Sequence, residues 1–195
     1  MKRVYTDNEI KERLKELLPP KRYIHIIGVS ETAVKMAKQF AADPQKAYTA
    51  GLLHDCVKYM SDEELLKKCK ELGVELDQND IQCLPVIHAP LGAVVAQKEY
   101  GIDDIEILDA IRYHTTGRAK MTKLDKIIYT ADMIEPSREF DGVEALRILA
   151  EEDLDKAVLA CVNQTVIFNI KKGKTVHPKS IECRNDLICE RSNDK

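Results

Sequence analysis

The chain has 195 residues, 44% of them hydrophobic and 32% charged, with a formal net charge of −3. That length suits a single domain whose core buries roughly 70% of the unfolded surface. The slightly acidic balance argues against a nucleic-acid binder, whose affinity comes from a basic face neutralising phosphates, and no apolar run approaches the roughly 20 residues that a membrane span needs.

The opening segment, MKRVYTDNEIKERLKELL, turns amphipathic and charged at once and lacks the apolar stretch of a secretory signal, so a cytoplasmic location is expected. Thr6 and Glu9 in TDNE match a capping box, predicting a helix over about 7–18 that Pro19 and Pro20 stop. From Lys21 to Ala41, apolar residues at Ile24, Ile27, Ala33, Val34 and Ala37 recur at three- and four-residue steps, one buried helical face. Asp43 and Pro44 cap and open a third helix, expected to run to about Tyr59. SDEE at 61–64 is a second capping box, and its polar helix ends at Gly73.

Residues 74–87 read as a loop with a short turn around DQND. Pro90 opens a helix that closes at Tyr100 and Gly101, and further helices are expected over about 103–113, 122–134, 142–150 and 152–172. Strand signals are nearly absent, since no Asn-Gly or Asp-Gly turn joins two alternating apolar runs. The prediction is therefore an all-α domain of eight or nine helices spanning 1–195, with the last ten or so residues as a tail. The six cysteines contain no C-x-x-C pair, several lie in helical apolar patterns, and all are read as reduced, mostly packing residues.

Ionisable groups interrupt the apolar segments in RYIHIIGVS (His25), GLLHDCVK (His54 and Asp55), LPVIHAPLGA (His88), IRYHTTGRAK (His114) and IYTADMIEPSR (Asp132). Each alone fits a hydrogen-bonded core residue or a cap. Together, on separate helices, they are hard to explain as independent accidents, and they point to a metal site. A helical bundle brings inward-facing side chains to one point, and imidazoles with carboxylates suit iron, manganese or zinc. Successive residues on a helix diverge by about 100°, so His54 and Asp55 are expected to flank a metal in a groove. The surplus over four ligands makes room for two metals, with Asp55 as the bridge. His177, which precedes Pro178, is left outside this set as a cap or surface residue.

The order of these residues resembles the metal-dependent HD-domain phosphohydrolase superfamily. More narrowly, RYIHIIGVSETA, AGLLHDCVK, IHAPLGAVVA, AIRYHTTGRAKMTKLDKIIYTADMIEPSRE and VHPKSIECRN together resemble the YqeK family from about residue 10 to 185. That resemblance implies a compact multi-helix HD-domain bundle and a symmetrical bis(5′-nucleosyl)-tetraphosphatase that splits diadenosine tetraphosphate into two ADP with a di-iron centre. It makes His25, His54, Asp55 and Asp132 ligands of one metal, and His88 and His114 ligands of the second, with Asp55 shared. A small-molecule nucleotide is the partner it implies, and a homodimer is an assembly it allows. The bare His-Asp pair also occurs in nucleotidases and phosphodiesterases, which stand as the alternative.

For a polyphosphate substrate, positive side chains should surround the metals. Lys58, one turn after His54, is the first choice for catalysis and phosphate binding, followed by Arg22 and Arg138. Thr115 and Thr116 hydroxyls and the Gly117 amide in HTTG can also meet a phosphate. A scaffold protein with structural histidines would instead bind no metal.

Overall fold

The structure, a computed structural model, describes residues 4–193. Eleven α-helices and a 3-10 turn stand among the described residues, with no strand. Helix α1 (Asp7–Leu17) begins with the predicted capping box, in which Glu9 N donates to Thr6 Oγ1 at 3.3 Å and Thr6 N donates to Glu9 Oε2 at 2.9 Å. Helix α2 (Pro20–Gln39) starts on proline, and α3 (Pro44–Leu53) starts on the Asp43 carboxylate, which accepts from the backbone of Gln45 and Lys46. Helix α4 (Asp62–Leu72) carries the second capping box and ends at Gly73, whose φ of 69° is the left-handed conformation glycine accommodates.

Three differences from the sequence expectation matter. First, α3 ends at Leu53 instead of near Tyr59, and residues 54–59 follow as tight turns closed by Cys56 N to Leu53 O and Lys58 N to Asp55 O. Second, the segment expected as a loop holds a short helix α5 (Gln78–Gln82) and the 3-10 turn Leu84–Val86, after which α6 (His88–Glu99) begins two residues before Pro90. Third, the expected tail, whose last two positions lie outside the described residues, is helical up to Asn193 as the end of α11 (Pro178–Asn193). Its Cys183 and Leu187 are buried, and it packs against α10 (Leu154–Lys171). Its sparse apolar residues gave little periodic signal, because only one narrow stripe is covered.

The remaining helices match closely: α7 (Ile105–Tyr113), α8 (Lys123–Ile134) and α9 (Val143–Glu152). Helix α2 packs on α3 and α8, and α7 lies between α6 and α8 while also touching α3. Helices α9 and α10 cover another side of α8. The buried apolar side chains form one continuous core. All six cysteines are free, and Cys189 alone is exposed. No described helix is long and apolar enough to cross a membrane.

Candidate metal centre

The five helices α2, α3, α6, α7 and α8 each deliver a polar group to one point at the centre of this packing. His25 lies in the second turn of α2. His54 sits at the C-cap of α3 and Asp55 follows in the turn. His54 keeps a right-handed helical backbone at the cap, and the turn closed by Cys56 N to Leu53 O carries Asp55 to the same buried centre, where the two side chains flank the site from neighbouring directions. His88 is the first residue of α6, His114 is the C-cap of α7, and Asp132 lies in the last turn of α8. All four histidines and Asp55 are buried.

Glycine sets the spacing. A Cβ on Gly51 would stand 2.6 Å from Ser30 Cα, a separation no side chain tolerates, so α2 and α3 approach this closely only with glycine there. That approach leaves His25 Nε2 and His54 Nε2 3.2 Å apart. On the other side, His88 Nε2 and His114 Nε2 are 3.1 Å apart. Asp55 lies between the two pairs. Its Oδ2 is 3.8 Å from His25 Nε2 and 3.6 Å from His54 Nε2. Its Oδ1 is 3.1 Å from His88 Nε2 and 3.6 Å from His114 Nε2. Asp132 Oδ1 stands 3.0 Å from His25 and 3.7 Å from His54. The donor atoms of His54, His114 and Asp132 also lie within 4.8 Å of one another, so the two groups share a boundary.

The hydrogen bonds behind the rings indicate what belongs in front of them. His54 Nδ1 lies 2.7 Å from the Gly51 carbonyl and His114 Nδ1 lies 2.7 Å from the Ile111 carbonyl. A carbonyl only accepts, so each Nδ1 carries the proton and each Nε2 presents a lone pair. Those lone pairs face other nitrogens and carboxylate oxygens, an acceptor-rich assembly that a cation satisfies. Burial pushes the His54 imidazole down to about 4, against the pull of Asp55, so it does not supply that cation itself. Burial lowers His88 as well. Burial opposes the charge on Asp55, yet the facing His54, His114 and His88 hold it well below the usual carboxylate range. Imidazole nitrogen with carboxylate oxygen is the borderline donor set of divalent transition metals, so these residues fit such an ion.

Glu135, which the sequence reading overlooked, completes the shell behind His25. Its Oε1 lies 2.9 Å from His25 Nδ1, and it accepts from Ser137 N at 2.7 Å and Ser137 Oγ at 2.5 Å. Burial resists ionisation of Glu135, but His25 and Ser137 outweigh it and lower its pKa. Burial likewise opposes the proton on His25, while Asp132 and Glu135 raise its pKa above the ordinary value. A carboxylate backing a ligating histidine fixes its tautomer and orientation. The signal was present in ADMIEPS: Glu135 stands three residues after Asp132, hence on its side of the helix end.

A cleft of about 350 Å³ opens beside the centre, lined by Lys21, Arg22, Lys58, Ser137 and Arg138 together with His25. Arg22 donates to Asp55 Oδ2 at 2.6 Å, Arg138 pairs with Asp132, and Lys58 Nζ lies 2.8 Å from His88 Nδ1, beside the Pro85 carbonyl. All three expected cations therefore reach the centre, and Lys21 joins them in lining the cleft. The HTTG residues do not line this cleft. Thr116 is buried and donates to the Gly117 carbonyl at 2.9 Å, and a Cβ on Gly117 would meet Cys183 Sγ at 2.5 Å, so Gly117 is where α11 packs closely. Thr115 lines a separate small pocket with Thr116, Arg112 and Lys179. His177, read as a cap or surface residue, does cap α11 through Lys179 N at 3.2 Å, but it is buried, with Nε2 3.1 Å from Asp80 Oδ1.

The HD domain family model matches residues 22–137. The chain is 43% identical over 178 residues to the symmetrical bis(5′-nucleosyl)-tetraphosphatase of Bacillus subtilis (strain 168), covering 90% of this chain and 94% of that protein. It is 42% identical over 179 residues to the protein of the same description from Staphylococcus aureus (strain NCTC 8325 / PS 47), covering 90% and 91%. A crystal structure from Clostridium acetobutylicum, described as a predicted HD superfamily hydrolase involved in NAD metabolism, superposes with a TM-score of 0.93 at 44% identity, covering 96% of this chain and all of that one.

Proposed function

The chain belongs to the HD domain family, and on that footing we propose that it is a metal-dependent hydrolase that cleaves diadenosine tetraphosphate and related dinucleoside polyphosphates symmetrically into two nucleoside diphosphates. The observation that carries this reading is Asp55, whose two oxygens each face a different pair of imidazoles, the arrangement of a carboxylate shared between two ions. We assign His25, His54, Asp55 and Asp132 to one divalent metal and His88, His114 and Asp55 to the other, iron being our choice and manganese or zinc suiting the same donors. Two such ions would hold phosphate oxygens and make hydroxide available near neutral pH.

The protein's own residues supply the rest. Lys21, Arg22, Lys58 and Arg138 make the adjoining cleft cationic, which suits a tetraphosphate bridge carrying several negative charges. Arg22 and Arg138 already touch the two carboxylates of the centre, so a phosphate seated between them lies against the proposed metal-binding atoms. Relatives described as symmetrical tetraphosphatases support cleavage at the middle of the bridge. The continuous core supports treating the described residues as one catalytic unit.

The test is a product assay with diadenosine tetraphosphate, run on chelator-treated protein with metal added back. Two equivalents of ADP per substrate, appearing only with metal, are expected. ATP plus AMP would overturn symmetrical cleavage, and preferential release of orthophosphate from a mononucleotide would transfer the assignment to a nucleotidase of the same family.

A further inference from the structure

Beyond the cationic cleft, α10 presents an uncovered apolar surface. Ile167 and Phe168 are 48% and 50% exposed, and with Met133 and Phe140 they line a groove of about 630 Å³. Two side-chain amides, Gln164 and Asn169, stand in the same groove. The groove is adjacent to the centre in a specific way. Met133 directly follows Asp132 on α8, and Arg138 lines both this groove and the cationic cleft. Arg138 is held there by Asp132, with Nε donating to the Asp132 carbonyl at 2.7 Å.

We infer that this groove is the nucleobase subsite of the enzyme, taking one purine of the dinucleotide while its phosphates lie in the cleft across Arg138; the inference rests on the hydrolase reading above. A nucleotide joins a charged end to a flat, largely apolar end through one sugar, and the structure places a cationic cleft and an apolar groove side by side with a guanidinium between them. Phe168 and Phe140 supply aromatic surface for stacking. The amides can read a base edge. Gln164 Nε2 donates to the Asp141 carbonyl at 3.2 Å, which orients its side chain and leaves the carbonyl oxygen to accept. The Asn169 amide has no hydrogen-bond partner among the described residues. An amide that offers a donor and an acceptor together matches the paired acceptor and donor of adenine. A volume of this size holds a base and sugar without enclosing them.

The experiment compares ADP and inorganic pyrophosphate as competitive inhibitors of the metal-loaded enzyme, in the wild type and in Phe168→Ala. Stacking lost on truncation predicts an inhibition constant for ADP raised by about tenfold, with that of pyrophosphate changed by less than about twofold. Phe168→Leu, which keeps apolar volume without a ring, should give a smaller rise for ADP alone. Phe168 is half exposed, so both variants should fold, and a thermal melt checks it. Equal losses for both inhibitors, or none for either, would overturn the subsite. So would a changed elution volume with ADP inhibition intact, which would assign the groove to a second copy of the chain. If the wild type fails to split diadenosine tetraphosphate, the hydrolase reading fails, and direct titration of ADP and pyrophosphate into wild type and Phe168→Ala still decides the groove.

Discussion

Gly28→Ala should weaken metal binding about 10- to 100-fold while leaving the fold nearly as stable as before. The new Cβ would stand 2.5 Å from Glu135 Oε2, so the carboxylate must retreat to the 3.4 Å at which ordinary contact begins, a displacement of about 0.9 Å. The other carboxylate oxygen moves with it, stretching or breaking the 2.9 Å contact with His25 Nδ1. Overpacking of this kind costs about 1–3 kcal/mol, and replacing a mid-helix glycine returns about 1 kcal/mol. The net change is therefore about 0–2 kcal/mol, a fall of a few °C in Tm for a chain of this size. Affinity should change more than stability, because the substitution displaces a group that orients a ligand. Competition against a chromogenic chelator gives the metal Kd, and a thermal melt of the metal-free protein gives the stability change. Wild-type affinity together with a Tm raised by a few °C would refute the reasoning, since Glu135 would then not be held against α2 or would not position His25. Glu135→Gln, which keeps the shape and removes the charge, should reproduce much of the affinity loss without the steric cost.

Removing divalent metal with a chelator should lower Tm, and adding it back at 100 times its Kd should restore about 2.7 kcal/mol for each site filled; identical melts with and without metal would argue for structural histidines. Gly51→Ala places a Cβ 2.6 Å from Ser30 Cα, backbone that cannot swing aside, so α2 and α3 must part at a cost of about 1–3 kcal/mol, and an unchanged urea midpoint would contradict so close a crossing. Alkaline pH should destabilise the protein through its buried thiols. Burial pushes Cys161 up to about 12 and Cys69 and Cys183 up to about 11, from an ordinary value of 9.0. Above that value the unfolded chain releases protons the native chain keeps, so stability is full below 9.0 and falls as pH rises towards about 12. Equal urea midpoints at pH 8 and about 10.5 would be inconsistent with it.

The sequence by itself determined most of the helices and the identity of the polar groups among them. Thr6 with Glu9, Asp43 before Pro44, and Ser61 with Glu64 mark helix starts because a cap satisfies backbone donors within one turn, an interaction local enough to be written in four residues. His25, His54, Asp55, His88, His114 and Asp132 stood out because each interrupts an apolar run, whatever the fold. The tertiary structure decided how those groups meet. No glycine or proline marks the end of α3 at Leu53, and it is the packing around the following turns that buries both His54 and Asp55 at one centre. Helix α11 forms where its few apolar residues find α10 and Gly117 to cover them, and His177 is buried because it meets Asp80, 97 residues away. The separate facing of the two Asp55 oxygens follows from where α2, α3, α6 and α7 converge. A glycine at 51 permits one of those approaches, but only the packed partner at Ser30 shows that it does so.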